Sequence, residues 1–244
     1  MKQPHIQLDE KVKATCALLP GDPGRIDSIK KFLDNPEELT FNREYRSIKG
    51  TYKGMPVVAI STGMGGSSVS IAVEELHNIG VNTMIRIGSA GALQEGIDLG
   101  DLIICEGAVR EDGASKTYVA ENYPAVPDYQ LINLCAEVAK ERGWEHHVGV
   151  VQSHESFYHD ENEAQSKYWS KKGILGSDFE TAALYTVGRL RGVRTASILN
   201  NVVMWGVDTV DSIFSFQDGA SKTAKGEERE IQCALEAMYR LGNK

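Results

Sequence analysis

Apolar residues fall in short continuous blocks along this chain, and between the blocks they recur at helical spacing. Six blocks read as strands: residues 14–19, 57–62, 83–87, 102–109, 148–153 and 195–203. Several are β-branched and apolar at consecutive positions, as expected of strands covered on both faces. Helical periodicity appears over residues 25–32, 67–79, 130–142, 178–191 and 225–241. Strand and helix patterns alternate, which predicts an α/β architecture rather than an all-β fold or a bundle. No internal repeat, low-complexity tract or long Pro/Gly/Ser linker interrupts the pattern, so residues 1–244 are expected to form a single domain.

Glycines gather where the strand patterns end: Gly21 and Gly24 after the first, Gly63, Gly65 and Gly66 after Ser61-Thr62, Gly88 and Gly91 after Ile87. In open α/β sheets, ligands collect beyond the carboxyl ends of strands. Each glycine alone is accounted for by a tight turn. Three glycine-bearing strand ends together suggest a crevice.

Composition narrows the ligand. The 244 residues carry 26 Lys and Arg against 34 Asp and Glu, a formal net charge of −8. That balance argues against a broad nucleic-acid surface, but it leaves room for a local basic pocket. No apolar run approaches the roughly 20 residues that span a bilayer, and the first ten residues lack the apolar core of a signal peptide. Cys16, Cys105, Cys135 and Cys233 are far apart and form no CxxC pair. They read as reduced thiols of a cytoplasmic protein rather than a zinc site.

Four stretches carry candidate chemistry. Leu19-Pro-Gly-Asp-Pro-Gly-Arg-Ile-Asp27 joins a strand to a helix, and its backbone N–H groups and Arg25 suit an anion. It is neither a Walker A loop nor GxGxxG. In Ile85-Arg-Ile-Gly-Ser-Ala-Gly-Ala-Leu93, Arg86 interrupts an apolar strand. A buried arginine needs a partner, so it meets a carboxylate or it receives an anion, with Ser89 as a neighbouring donor. In Phe41-Asn-Arg-Glu-Tyr45, Arg43 and Glu44 fit either surface pairing or a site. In Gly176-Ser-Asp-Phe-Glu-Thr-Ala-Ala183, Asp178 suits a helix start, and Glu180 fits either the same role or bidentate acceptance from a sugar diol.

Taken in order, Pro20-Gly-Asp-Pro-Gly-Arg25, Asn42-Arg-Glu-Tyr45, Ser61-Thr-Gly-Met-Gly-Gly66, Arg86-Ile-Gly-Ser-Ala-Gly91 and Asp178-Phe-Glu180 resemble the nucleoside phosphorylase family, which includes uridine phosphorylases and hexameric purine nucleoside phosphorylases. The resemblance runs from about His5 to the last helix. Ile71-Ala-Val-Glu-Glu-Leu76, Val109-Arg-Glu-Asp-Gly-Ala-Ser115 and Pro124-Ala-Val126 look most like the uridine phosphorylase branch. Gly188-Arg-Leu-Arg-Gly-Val-Arg-Thr195 also looks like an apicomplexan-type purine enzyme.

The resemblance implies a mixed central sheet flanked by helices. It also implies attack of orthophosphate, a co-substrate, on C1′ of a ribonucleoside, giving free base and ribose 1-phosphate. On this reading Gly21, Arg25, Arg86 and Ser89 bind phosphate, and Arg43 reaches it from a second subunit. Glu180 accepts the ribose hydroxyls beside Phe179, His5 of a neighbour meets the 5′-hydroxyl, and Phe157 packs on the base. Arg86 and Glu180 are the expected catalytic pair. Glu44 and Ser68 match positions that hold K+ or Na+ at a dimer interface, and no other cofactor is implied. The expected assembly is a homodimer as the site-forming unit, completed to a hexamer. Three arginines around an anion favour phosphorolysis over hydrolysis, because water needs no such charge.

The base-reading positions depart from the family. Where uridine phosphorylases carry Gln and Arg, this chain has Glu161 and Glu163. A carboxylate accepts from a base N–H but cannot donate unless protonated. Where purine enzymes place a general-acid Asp, Val202 or Val203 stands, and Asp208 would serve only with a rearranged loop. Asn200 and Asn201 offer amides either to a base edge or to nearby backbone, and residues 212–220, with Phe214 and Phe216, suggest a flap. Uridine is the first expected substrate and a purine nucleoside such as inosine or adenosine the second. A phosphate-independent nucleosidase and a non-catalytic nucleoside sensor rank below both.

Overall fold

The computed structural model describes residues 1–207 and 221–243. Among these, nine strands form one mixed sheet in the order β2-β3-β4-β1-β5-β8-β7-β6-β9. β1 (Cys16–Pro20) runs parallel to both β4 (Met55–Ile60) and β5 (Thr83–Ala92). β2 (Asp34–Asn42) and β3 (Tyr45–Tyr52) form an antiparallel hairpin beside β4. On the other side stand β6 (Leu102–Glu111), β7 (His146–His154), β8 (Gly176–Asp178) and β9 (Arg194–Val203). β9 pairs with both β6 and β5, so β5, β8, β7, β6 and β9 close on themselves.

The helices are α1 (Arg25–Lys30), α2 (Gly66–Asn78), α3 (Gly113–Tyr118), α4 (Tyr129–Glu141), α5 (Asn162–Ser170), α6 (Thr181–Leu190) and α7 (Ser221–Gly242). Side chains alternate across a strand, so each central strand feeds two cores. Ala17 and Leu19 of β1 and Met84 of β5 face the layer of α2 and α6. Leu18, Ile85 and Ile87 face that of α4 and α7. Cover on both faces explains the continuous apolar blocks. The four cysteines are buried and free, as their sequence context predicts.

The expected α/β architecture holds, with three strands and two helices beyond those read from periodicity. β2 is charged, mostly exposed and contains Pro36; such an edge strand resists pairing with another chain and carries little apolar signal. β8 is only three residues long, and α5 buries none of its side chains, so neither imposes a pattern. The helix expected from residue 178 begins at Thr181, because 176–178 are drawn into the sheet as β8.

Strand pairing also creates the crevice. β1 pairs with β5 only as far as Pro20 opposite Ile87, and β8 takes up the same edge at Gly91. Between them the edge of β5 at Gly88, Ser89 and Ala90 is left without a neighbouring strand. This is a topological switch point at strand ends, where α/β sheets bind ligands.

Candidate active site

Arg86 lies on β5 at the mouth of this gap, with only 3% of its surface exposed. Its Nε contacts Asp178 Oδ2 at 3.1 Å and its Nη2 contacts Glu180 Oε2 at 2.5 Å. The carboxylate alternative read from the sequence is therefore realised, and the third nitrogen, Nη1, is buried without a hydrogen-bond partner among the described residues. A Cβ placed on Gly21 would stand 3.8 Å from it. The guanidinium is thus braced on two carboxylates and turns its remaining donor toward the β1 turn. Burial opposes its charge, but Glu180 and Asp178 outweigh burial and hold it protonated above its ordinary range. Gly88 admits the fold-back, since a Cβ there would come 2.5 Å from Nη2.

Asp178 is the fixed point of this cluster. It accepts from Ser153 Oγ and Thr181 Oγ1, each at 2.6 Å, and from the Thr181 N–H at 3.0 Å, capping α6. Asp178 thus ends β8 rather than opening the helix, but it takes the first N–H of α6 and braces Arg86 besides. Glu180 is 3% exposed, and its Oε1 accepts the Gly65 N–H at 2.6 Å. Burial, reinforced by Asp178, raises its pKa despite Arg86.

Arg25 opens α1 and is likewise buried. Its Nη1 meets Glu230 Oε1 at 3.0 Å and its Nε lies 3.4 Å from Glu227 Oε2. Glu230 is fully buried, and its Oε2 accepts the Gly88 N–H at 3.2 Å. Ser89 is half-buried on the free edge, and its hydroxyl has no partner among the described residues. Gly21, Arg25, Arg86 and Ser89 therefore converge at the ends of β1 and β5.

Glu44 and Ser68 also come together, although they sit on different elements. Ser68 Oγ donates to Glu44 Oε1 at 2.8 Å and touches the Thr62 carbonyl. Gly63 lies against Glu44 at φ 68°, and a Cβ there would fall 2.9 Å from Glu44 Cβ. Hydroxyl, carboxylate and carbonyl oxygens form a donor set that suits a hard cation.

Two expected residues lie apart from this cluster. Arg43 is exposed at the tip of the β2–β3 turn, with φ 55° and no ion pair or side-chain hydrogen bond among the described residues. His5 Nδ1 meets Glu75 Oε1 of α2 at 2.6 Å, and the N–H groups of His5 and Ile6 bond the same carboxylate. The N-terminal segment is thus tied down rather than loose.

Phe179 packs against His154 with the rings tilted at 48° and centroids 4.7 Å apart, and it lies 6.4 Å from Phe157, forming a half-exposed aromatic wall next to Glu180. His154 escaped the sequence reading although it sits in Ser153-His-Glu-Ser-Phe-Tyr158. Burial lowers its pKa, so it is neutral near pH 7. Glu161 helps line a surface cavity of about 290 Å³ with Glu111, Gln165, Tyr168 and Trp169. Glu111 accepts from Gln152, Gln165 and Trp169 there. Glu163 is paired instead with Lys167 on the exposed side of α5.

Asn200 and Asn201 are buried, and their amide N–H groups serve backbone carbonyls of Thr223, Ile97 and Asp98. Their amide nitrogens fill the structural one of the two roles open to them in the sequence, and both Oδ1 atoms are buried without a partner among the described residues. Val202 and Val203 are buried and apolar, and Asp208, Phe214, Phe216 and residues 212–220 lie outside the described residues. Glu230 and Glu227 were also missed. The only signal was a cluster of three acids, Glu227, Glu228 and Glu230, near the start of an otherwise amphipathic helix pattern.

Fold and site together define an α/β protein with two buried arginines at a crevice of its strand ends, next to a buried carboxylate and an aromatic wall. Residues 15–211 match the model of the Phosphorylase superfamily. A guanosine phosphorylase of Halorubrum lacusprofundi is 36% identical over 244 residues, covering 98% of this chain and 99% of its own. A uridine phosphorylase of Thermococcus kodakarensis is 39% identical over 208 residues, covering 80% of this chain and 75% of its own. The crystal structure of a uridine phosphorylase from Vibrio fischeri, complexed with 6-hydroxy-1-naphthoic acid, superposes with a TM-score of 0.91 at 44% identity, covering 98% of this chain and 97% of that one. The chain belongs to the Phosphorylase superfamily.

Proposed function

We propose that this chain catalyses phosphorolysis of ribonucleosides, uridine foremost, releasing the free base and ribose 1-phosphate. The observation that carries this reading is the unpartnered, buried Nη1 of Arg86, braced beside Gly21 with Arg25 and Ser89 nearby. An orphaned guanidinium donor is costly unless an anion completes it. Orthophosphate fits. One of its oxygens attacks C1′ as the C1′–N bond breaks, and the base departs with the bonding electrons. Fixed positive charge orients the nucleophile, and the bound phosphate stabilises the cationic sugar centre. Glu180 accepts the ribose hydroxyls through the lone pairs left by Arg86 and Gly65, with Phe179 against the sugar. The base lies along Phe157 and His154, with Glu161 the candidate residue at its edge, while Glu163 turns outward onto Lys167. Uridine phosphorylases among the relatives support the pyrimidine. The guanosine phosphorylase that matches over nearly its whole length supports a purine nucleoside as the second reading.

The same reading takes residues 1–244 as one domain, supported by the continuous sheet. It takes the working unit as a homodimer within a hexamer, supported by the exposed guanidinium of Arg43, which has no ion pair or side-chain hydrogen bond among the described residues. Arg43 completes the phosphate site across that interface, and His5 meets the neighbour's 5′-hydroxyl. K+ or Na+ sits at the oxygens of Glu44 and Ser68. A cytoplasmic location is supported by the four free thiols; among the described residues no helix is long and apolar enough to cross a membrane.

The test is incubation with uridine, thymidine, inosine, guanosine and adenosine, each with and without phosphate, following free base by chromatography. Phosphate-dependent release of uracil is expected. Phosphate-dependent release of purines alone moves the base choice, and release without phosphate overturns the mechanism.

A further inference from the structure

The anion crevice holds more negative than positive charge. Among the described residues Arg25 and Arg86 face Glu227, Glu230, Asp178 and Glu180, and with Arg43 from the second subunit, on the phosphate reading, three cations meet four carboxylates. A phosphate dianion entering such a site meets repulsion unless one carboxylate is neutral. Asp178 and Glu180 are both braced by Arg86. Glu230 is differently placed: fully buried on α7, it ties Arg25 to the free edge of β5 through Nη1 and the Gly88 N–H.

Resting on the phosphate reading of this crevice, we propose that Glu230 is a positioning residue that must carry a proton for the anion to bind. The neutral acid keeps Oε2 as acceptor for the Gly88 N–H. It also gives up its charge hold on Arg25, which then pairs with the anion. The proton comes from solvent and returns to it when the anion leaves.

Among the described residues, the charged groups facing Glu230 are Arg25 from α1, Arg86 from β5 and Glu227 one turn back on α7. From β9 comes the neutral amide of Asn200, bonded to Thr223 of α7. The core on which α7 packs is otherwise apolar, with Leu18 of β1, Leu102 and Ile104 of β6 and the Cys135 thiol of α4 within it. Burial, with Glu227 adding to it and Arg25 opposing it, pushes the Glu230 carboxyl up to about 8. The acid is then mostly neutral at pH 7 and ionised at pH 9.

Sulfate is the probe, because it stays a dianion across this range. Calorimetric titration of the full-length protein at pH 9, in two buffers of different ionisation enthalpy, counts protons taken up on binding. The wild type is expected to take up close to one proton per site, and its sulfate Kd to rise about tenfold per pH unit above about 8. Glu230→Gln is expected to bind without uptake and with a flat profile. Glu230→Asp keeps a titrating carboxyl and should keep the slope at weaker affinity. Sulfate binding by the wild type at pH 9 without proton uptake overturns the proposal, as does an equal slope in Glu230→Gln. A wild type that binds neither sulfate nor phosphate at any pH overturns the phosphate reading beneath it.

Discussion

Arg86 and Glu180 meet at 2.5 Å, Nη2 to Oε2, with both side chains almost wholly withdrawn from solvent. The arginine comes from the middle of β5 and the glutamate from the cap of α6, and Asp178 ties them by contacting Arg86 Nε while holding the same helix end. One guanidinium therefore links the crevice proposed for phosphate to the residue proposed for the sugar. Such an ion pair adds little net stability when intact, but losing one partner strands the other.

Arg86→Ala strands two buried carboxylates. Unfolding stability is expected to fall by about 3–5 kcal/mol, and phosphate-dependent kcat/KM by about a hundredfold or more. Arg86→Lys restores one charge but not the planar fork, so it should recover more stability than activity. Denaturant titration and phosphorolysis rates check both. An unchanged phosphate KM in Arg86→Ala would remove the residue from the anion site.

Glu180→Ala removes the acceptor assigned to the ribose diol. Uridine turnover is expected to suffer about tenfold more than 2′-deoxyuridine turnover, the worth of one hydrogen bond to a charged group. Equal losses on the two substrates would exclude a contact to the 2′-hydroxyl.

Arg43 tests the shared site. If it acts across a dimer interface, Arg43→Ala and Arg86→Ala are each inactive alone. When the two proteins are unfolded and refolded together at equal amounts, about a quarter of the sites regain both arginines through C2 pairing. No recovery, with mixed dimers verified by mass spectrometry, would place Arg43 in its own subunit's function or in none.

Glu230 makes stability depend on pH. Its folded-state pKa is raised to about 8, above that of an exposed carboxyl. Through the window between the unfolded pKa, about 4.3, and about 8 the folded state binds the extra proton, so rising pH costs stability. Glu230→Gln lacks this cost. Its Tm relative to wild type is expected to rise from pH 5 to pH 9, and a Tm difference independent of pH would refute the buried, proton-holding state.

The arginines, the glycine-rich strand ends and Asp178-Phe-Glu180 were legible because each is a local event: a charge in an apolar strand, a turn, a helix start. The acids behind Arg25 were not. Glu227 and Glu230 follow Arg25 by most of the chain, and only the seating of α7 on β5 and β9 brings them to it. His154 was invisible for a related reason, since its packing against Phe179 requires β7 and β8 to lie side by side. The outward turn of Glu163 depends on α5, a helix without a buried face.

By itself the sequence determined the α/β alternation and the two cores, because burial on both faces of a strand must be written in its residues. It also determined the chemical inventory of the crevice: arginines, glycines, a serine and paired acids. Only the tertiary structure decided which carboxylate each arginine meets, which guanidinium nitrogen is left over, and that β5 stands bare between β1 and β8. Those are non-local pairings. A one-dimensional pattern records that a charge must be compensated, and the strand order alone selects the partner.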